Sequence, residues 1–202
     1  MARDAWYFLV PLLAVALLGF LLGWIWAGVI ILALAAFIVF FFRDPDRLIP
    51  DDPRAIVSPA DGRVIKVQSA PEGGCRLSIF LSVFNVHVNR APIAGVIVRQ
   101  EHKAGKFYVA SDDRASLQNE QLVLTIRGER ELSFALIAGI LARRIVPWLK
   151  PGDSVAKGDR IALIRFGSRV DMLIPGNCDL TVNLGERVRA GSSIVARWRE
   201  DR

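Results

Sequence analysis

The chain opens on an uninterrupted apolar run and only later settles into alternation. From Ala5 to Phe42, 38 consecutive residues contain no Asp, Glu, Lys or Arg. As one helix this run would measure about 57 Å at 1.5 Å per residue, against roughly 30 Å of bilayer hydrocarbon. Two short helices, Trp6–Leu18 and Trp24–Phe42, hinged over the Gly19–Gly23 stretch, fit that thickness better. Trp6, Tyr7, Trp24 and Trp26 are rings of the kind that sit at membrane interfaces. The expectation is a transmembrane helical hairpin anchoring residues 1–42. The run is too long for a secretory signal, and no small-residue cleavage site follows it. Arg3 precedes it and Arg43 and Arg47 follow it, so the positive-inside rule puts both ends in the cytoplasm. The rest of the chain is then expected on the cytoplasmic side of the inner cell membrane.

Residues 43–53 are rich in Pro and Asp and read as a linker. Beyond it the apolar period falls to two. Short β-rich stretches recur at Gly62–Val67, Arg76–Val83, Val96–Arg99, Gln121–Arg127, Leu132–Ile137, Arg160–Arg165 and Arg169–Ile174, separated by Gly, Pro, Asn and Asp. This predicts a mainly β chain, an all-β sandwich or barrel over residues 54–202. Only 110–120 could hold a helical turn, and a polar loop fits it equally.

A repeat sharpens the fold class. Gly152-Asp153-Ser154-Val155-Ala156-Lys157-Gly158-Asp159-Arg160-Ile161 has the pattern G-[D/E]-x-V-x-x-G-x-x-I, which returns 33 residues later from Gly185 to Ile194. Each copy predicts a turn, a strand and a second Gly turn, a pseudo-symmetric β unit of the barrel-sandwich kind found in lipoyl and biotinyl carriers. A carrier needs an exposed Lys at a hairpin tip, and Arg165–Met172, between the copies, has none. The repeat therefore predicts architecture and not carrier chemistry. A non-enzymatic, membrane-tethered, lipoyl-like adaptor module remains the alternative to an enzyme.

Composition narrows the classes further. The 202 residues are 52% hydrophobic, which excludes a disordered chain. Arg3 and Asp4 cancel, so the net charge of +6 lies entirely in residues 43–202. A basic surface suits an anionic lipid leaflet. The basic residues are scattered and not interleaved with aromatics, so no nucleic-acid partner is expected. Cys75 and Cys178 alone make neither a disulfide framework nor a four-cysteine zinc site.

Candidate chemistry is sparse. The two histidines are His87, among polar residues that interrupt an apolar strand, and His102, in the charged stretch Gln100–Lys103. His102 reads as part of a solvated face. Asp61 alone is an ordinary turn residue before Gly62, and Gly167-Ser168 alone is an ordinary tight turn.

Taken together and in order, these pieces resemble a known family. Asp61 in Pro59-Ala60-Asp61-Gly62, His87 followed by Pro92 and Gly95, and Ser168 in Phe166-Gly167-Ser168 resemble the phosphatidylserine decarboxylases. The match is to their short, pyruvoyl-dependent bacterial and archaeal branch. Aligned on Pro92 and Gly95, His87 takes the first of two histidine positions of the longer enzymes and Arg90 the second.

The resemblance implies a proenzyme that cuts itself at Gly167–Ser168 into a β chain, 1–167, and an α chain, 168–202, which stay associated. The Ser168 hydroxyl attacks the Gly167 carbonyl, and the amide becomes an ester. β-Elimination leaves dehydroalanine, which hydrolyses to a pyruvoyl group. His87, oriented by Asp61, supplies the base that a hydroxyl nucleophile requires. The catalytic residues it implies are thus Ser168, His87 and Asp61. The cofactor is a covalent pyruvoyl group derived from Ser168, with no pyridoxal phosphate and no metal. It forms a Schiff base with the amino group of phosphatidylserine, and decarboxylation yields phosphatidylethanolamine. The implied partners are the phospholipid substrate and the membrane, and a homo-oligomer is compatible with the reading.

Overall fold

Gly23 adopts a φ of +77°, which ends one helix and starts the return of the next. In the computed structural model, α1 spans Trp6–Leu21 and α2 spans Ile25–Phe41. The structure describes residues 1–70, 73–105, 118–139, 145–164 and 168–200. Gly167, and most of the 110–120 stretch, lie outside these residues. Met1–Asp46 and Arg47–Arg202 form separate compact units.

Within the first unit the helices pack antiparallel. Gly19 lies against Gly28, where a Cβ would stand 3.5 Å from the Gly28 nitrogen. Phe8 stacks on Phe42 at 5.7 Å, and the Ala2 N–H donates to the Phe42 carbonyl at 2.8 Å. The expected transmembrane character is overturned. No helix among the described residues is long and apolar enough to cross a membrane. With 16 and 17 residues, the helices measure about 24 and 26 Å, short of the roughly 30 Å core. The apolar run is long only as a whole, and the break at Gly23 divides it.

The second unit carries fourteen strands among the described residues. They are β1 (Ala55–Val57), β2 (Gly62–Ser69), β3 (Cys75–Leu81), β4 (Val88–Arg90), β5 (Gly95–Lys103), β6 (Gln121–Arg127), β7 (Glu131–Ala138), β8 (Ile145–Pro147), β9 (Ser154–Val155), β10 (Arg160–Ile164), β11 (Ser168–Ile174), β12 (Cys178–Leu180), β13 (Arg187–Val188) and β14 (Ile194–Trp198). Eight of them form one sheet in the order β13-β2-β3-β11-β7-β6-β5-β9. The other six make two three-stranded sheets, β1-β14-β12 and β4-β10-β8. The chain is mainly β, with the two helices confined to its N-terminus.

These pairings repeat. β1, β2, β8 and β9 are followed 33 residues later by β4, β5, β12 and β13, as Ala55 is by Val88 and Ser154 by Arg187. Val188 pairs with Gly62 as Val155 pairs with Gly95. Gly191 donates to Ser58 and Gly158 to Ala91, both at 2.8 Å. Two copies of one seven-stranded unit result, with the eight-stranded sheet crossing between them where β11 meets β7. One copy is continuous, from β4 to β10. The other is interrupted: β1–β3 and β11–β14 stand on either side of the first in sequence. Where β6 turns into β7 by a short hairpin, β3 and β11 are separated by the whole inserted copy.

The core follows from strand alternation. Val170, Met172 and Ile174 of β11 join Leu77, Ile79 and Leu81 of β3 and Leu132, Phe134 and Leu136 of β7 in one buried cluster. Arg169 and Asp171 occupy the opposite face of the same strand.

Candidate active site

His87 and Ser168 sit where the chain passes between the two copies, and Asp61 lies within one of them. Ser168 opens β11, paired on one side with Leu81 and on the other with Ala138. It shares the core face with Val170 and is fully buried. Its Oγ makes no hydrogen bond among the described residues. A hydroxyl left so costs about 1–3 kcal/mol, and such a cost at one point of a packed sheet marks a group held for something other than stability.

His87 lies on the outgoing connector, just before β4, and is also fully buried. Its carbonyl accepts from the Ile164 N–H at 3.2 Å. Ile164 ends β10, four residues before Ser168, a span of at most about 14 Å. The two connectors thus bring His87 and Ser168 to the same end of the sheet. Nδ1 of His87 lies 2.9 Å from the Asn85 carbonyl oxygen. That oxygen can only accept, so in the neutral ring Nδ1 carries the proton and Nε2 the lone pair. Asn85 is fixed in turn, its Oδ1 accepting from the N–H and hydroxyl of Ser82 at 2.9 and 2.8 Å. Ser82 directly follows Leu81, the strand partner of Ser168.

Asp61 stands immediately before β2, which runs parallel to β11 two strands away. This is a backbone spacing of roughly 10 Å. Gly62 is pressed onto β3 so closely that a Cβ there would lie 2.2 Å from the Phe80 oxygen. The Asp61 carboxylate is engaged twice: Arg47 donates to both oxygens at 2.9 and 2.8 Å, and the Ala190 N–H donates to Oδ1 at 2.8 Å. It ties β2, the second repeat turn and Arg47 of the linker together, while a backbone carbonyl orients His87.

Several residues escaped the sequence reading. Arg47 counted there only as a topology signal. Asn85 acts through its backbone, which no motif reveals. Arg169, 2% exposed, donates to Asp171 at 2.6 and 3.2 Å and to the Ser78 hydroxyl at 2.8 Å, directly behind Ser168. Its two-residue spacing from Asp171 on a strand could have signalled this pair. Asn119, 2% exposed, donates to the Ala138 carbonyl at 2.7 Å, on the strand that flanks Ser168. His102, by contrast, is exposed on β5 and lies 3.0 Å from Glu120.

Known proteins are similar to this one across almost the whole chain. The family model described as phosphatidylserine decarboxylase matches residues 34–196. A phosphatidylserine decarboxylase proenzyme of Solibacter usitatus is 53% identical over 198 residues, covering 97% of this chain and 95% of its own. One of the same description from Desulfotalea psychrophila is 46% identical, covering 83% and 82%. A putative archaetidylserine decarboxylase proenzyme of Methanothermobacter thermautotrophicus is 39% identical, covering 93% and 92%.

Proposed function

Because the chain belongs to the phosphatidylserine decarboxylase family, we propose that it is a self-cutting proenzyme that converts phosphatidylserine to phosphatidylethanolamine. The observation that carries this reading is the buried Ser168 Oγ at the head of β11, with the buried His87 ring on the adjoining connector. Membership in a decarboxylase family leaves the adaptor alternative without support.

In this reading the Ser168 hydroxyl attacks the carbonyl of Gly167, and His87 Nε2 accepts the hydroxyl proton as general base. Arg169, clamped to Asp171 and Ser78, holds β11 still during the attack. Asp61 serves as a positioning residue that fixes the β2 end of the site. The site fits a pyruvoyl precursor, because the orphaned Ser168 Oγ is the atom the conversion requires. A pyruvoyl group there supplies a carbonyl that withdraws electrons as an amino acid headgroup loses CO2. His87 then holds the proton that the headgroup carbon receives.

The cut chains stay together on this proposal. β11 lies between β3 and β7, and β14 between β1 and β12, so residues 168–202 are interleaved with the larger fragment. The enzyme associates with the cytoplasmic face of the inner membrane through its apolar helices, on which Tyr7, Trp24 and Trp26 are 80%, 65% and 81% exposed.

Intact-mass analysis and denaturing gels of the purified protein test the reading. Fragments ending at Gly167 and beginning with a blocked residue 168 are expected, together with CO2 release from phosphatidylserine. An uncut wild-type chain, or a cut Ser168→Ala chain, would refute it.

A further inference from the structure

The internal duplication repeats the positions of the candidate site in the other copy, and a cleft lies around them. Arg54 stands in one copy where His87 stands in the other: the Trp198 N–H donates to the Arg54 carbonyl at 2.9 Å, as Ile164 does to His87. Arg130 stands where Ser168 does, because Glu131 faces Arg127 in the register by which Arg169 faces Phe80. Ala94 takes the place of Asp61 and Lys157 that of Ala190, each 33 residues apart.

Chemistry has been exchanged at every one of these positions. The nucleophile and the histidine are replaced by guanidinium groups, and the acid by a methyl group. Around them lies a cleft of about 850 Å³ whose charged lining is Arg54, Arg130, Lys157, Arg199, Glu129 and Glu200. Four cations thus face two carboxylates. Arg130 lies over the Trp198 ring at 5.1 Å and donates to the Arg199 carbonyl at 3.2 Å, which steadies it at the cleft wall. Lys157 donates to the Asp52 carbonyl at 2.5 Å. Arg54 and Arg199 reach Glu200 and Asp179 through pairs whose side chains are at least half exposed. Such pairs are worth little and exchange readily for a better acceptor.

We infer that this cleft is a second, non-catalytic binding site for a phosphate oxyanion. Guanidinium forks match phosphate oxygens in pairs, and the replacement of Asp61 by Ala94 removes the carboxylate that would repel them. The oxyanion can be free phosphate or the phosphodiester of a lipid headgroup. The inference goes beyond the decarboxylase reading and does not depend on it.

Calorimetric titration of the full-length protein in detergent tests it, at constant ionic strength with chloride as the blank. One arm uses inorganic phosphate and the other glycerophosphoglycerol, a headgroup diester without acyl chains. Saturable binding is expected in at least one arm and should weaken by at least about tenfold in Arg54→Gln/Arg130→Gln. Binding in the phosphate arm alone identifies free phosphate, and binding of the diester identifies a headgroup. Arg63→Gln/Arg76→Gln removes the same charge from β2 and β3 and should bind normally. Lys157→Gln provides a milder change should the double variant fail to fold. No saturable binding in either arm, or equal losses in the two double variants, would overturn the inference.

Discussion

His87 Nδ1 donates to the carbonyl of Asn85 at 2.9 Å, so a stretch of backbone aims the ring. The aim depends on the Ser82–Asn85 turn, which hangs directly from β3. Asn85→Ala should therefore leave the protein folded and slow self-cleavage by about ten- to a hundredfold, the cost of a small misplacement. His87→Ala should stop cleavage altogether. Time courses on denaturing gels read both, and rapid cleavage in His87→Ala would remove the residue from its assigned role.

The Arg47–Asp61 pair has side chains only 10% and 12% exposed. Asp61→Leu should lower stability by about 3–5 kcal/mol, since it leaves a buried guanidinium behind. Adding Arg47→Met should recover part of that loss. Urea unfolding of the two variants separates the outcomes, and equal midpoints would mean that Arg47 rehydrates freely.

Arg169→Met should cost about 3 kcal/mol by stripping Asp171 of its guanidinium partner. It should also slow self-cleavage, because Ser168 is the next residue on the strand. A variant that is less stable yet cleaves at the wild-type rate would confine Arg169 to a structural role.

Gly62→Ala should prevent folding of the β unit. The added Cβ would meet backbone, the Phe80 oxygen at 2.2 Å, and strand pairing leaves that oxygen nowhere to go. Expression in the soluble fraction, followed by circular dichroism, checks this. Gly185→Ala meets no neighbouring atom and bears only the strain of its φ of +85°, so it should be milder, destabilising the fold without preventing it.

Burial pushes the Cys178 thiol up to about 11, from an ordinary value of 9.0. The folded state therefore favours the neutral thiol over the thiolate. Its contribution to stability is complete below about pH 9 and is lost as the pH rises towards 11. Cys178→Ala should show a shallower fall of the urea midpoint over that window, and identical slopes would contradict the shift.

The strands were legible because apolar residues recur at every second position, as Val170, Met172 and Ile174 do in β11, and turn together to the core. The very short β9 and β13 carry too few residues for a period and were legible only as the strands between the Gly turns of the repeat. The two helices of the apolar N-terminal run and the glycine break between them were legible, but their failure to span was not, because at 16 and 17 residues neither is long enough to cross a membrane. The duplication was visible only where turn geometry demands Gly. Elsewhere the two copies diverge, so the insertion of one into the other could not be read from residues alone. Ser168 and His87 were recognisable as residue types in a motif. The groups that hold them, the Asn85 carbonyl and the Arg169–Asp171 pair, depend on contacts made only on folding.

The position of β11 in the middle of the large sheet has a consequence for refolding. On the proposed cut before Ser168, the molecule becomes a complex of two polypeptides, although it was assembled as one. Its melting temperature then depends on protein concentration, as it does for any heterodimer. Denaturation also becomes a separation, because a strand expelled from the centre must find its partner again by diffusion. A protein of this design is folded once as a monomer and afterwards survives by not unfolding.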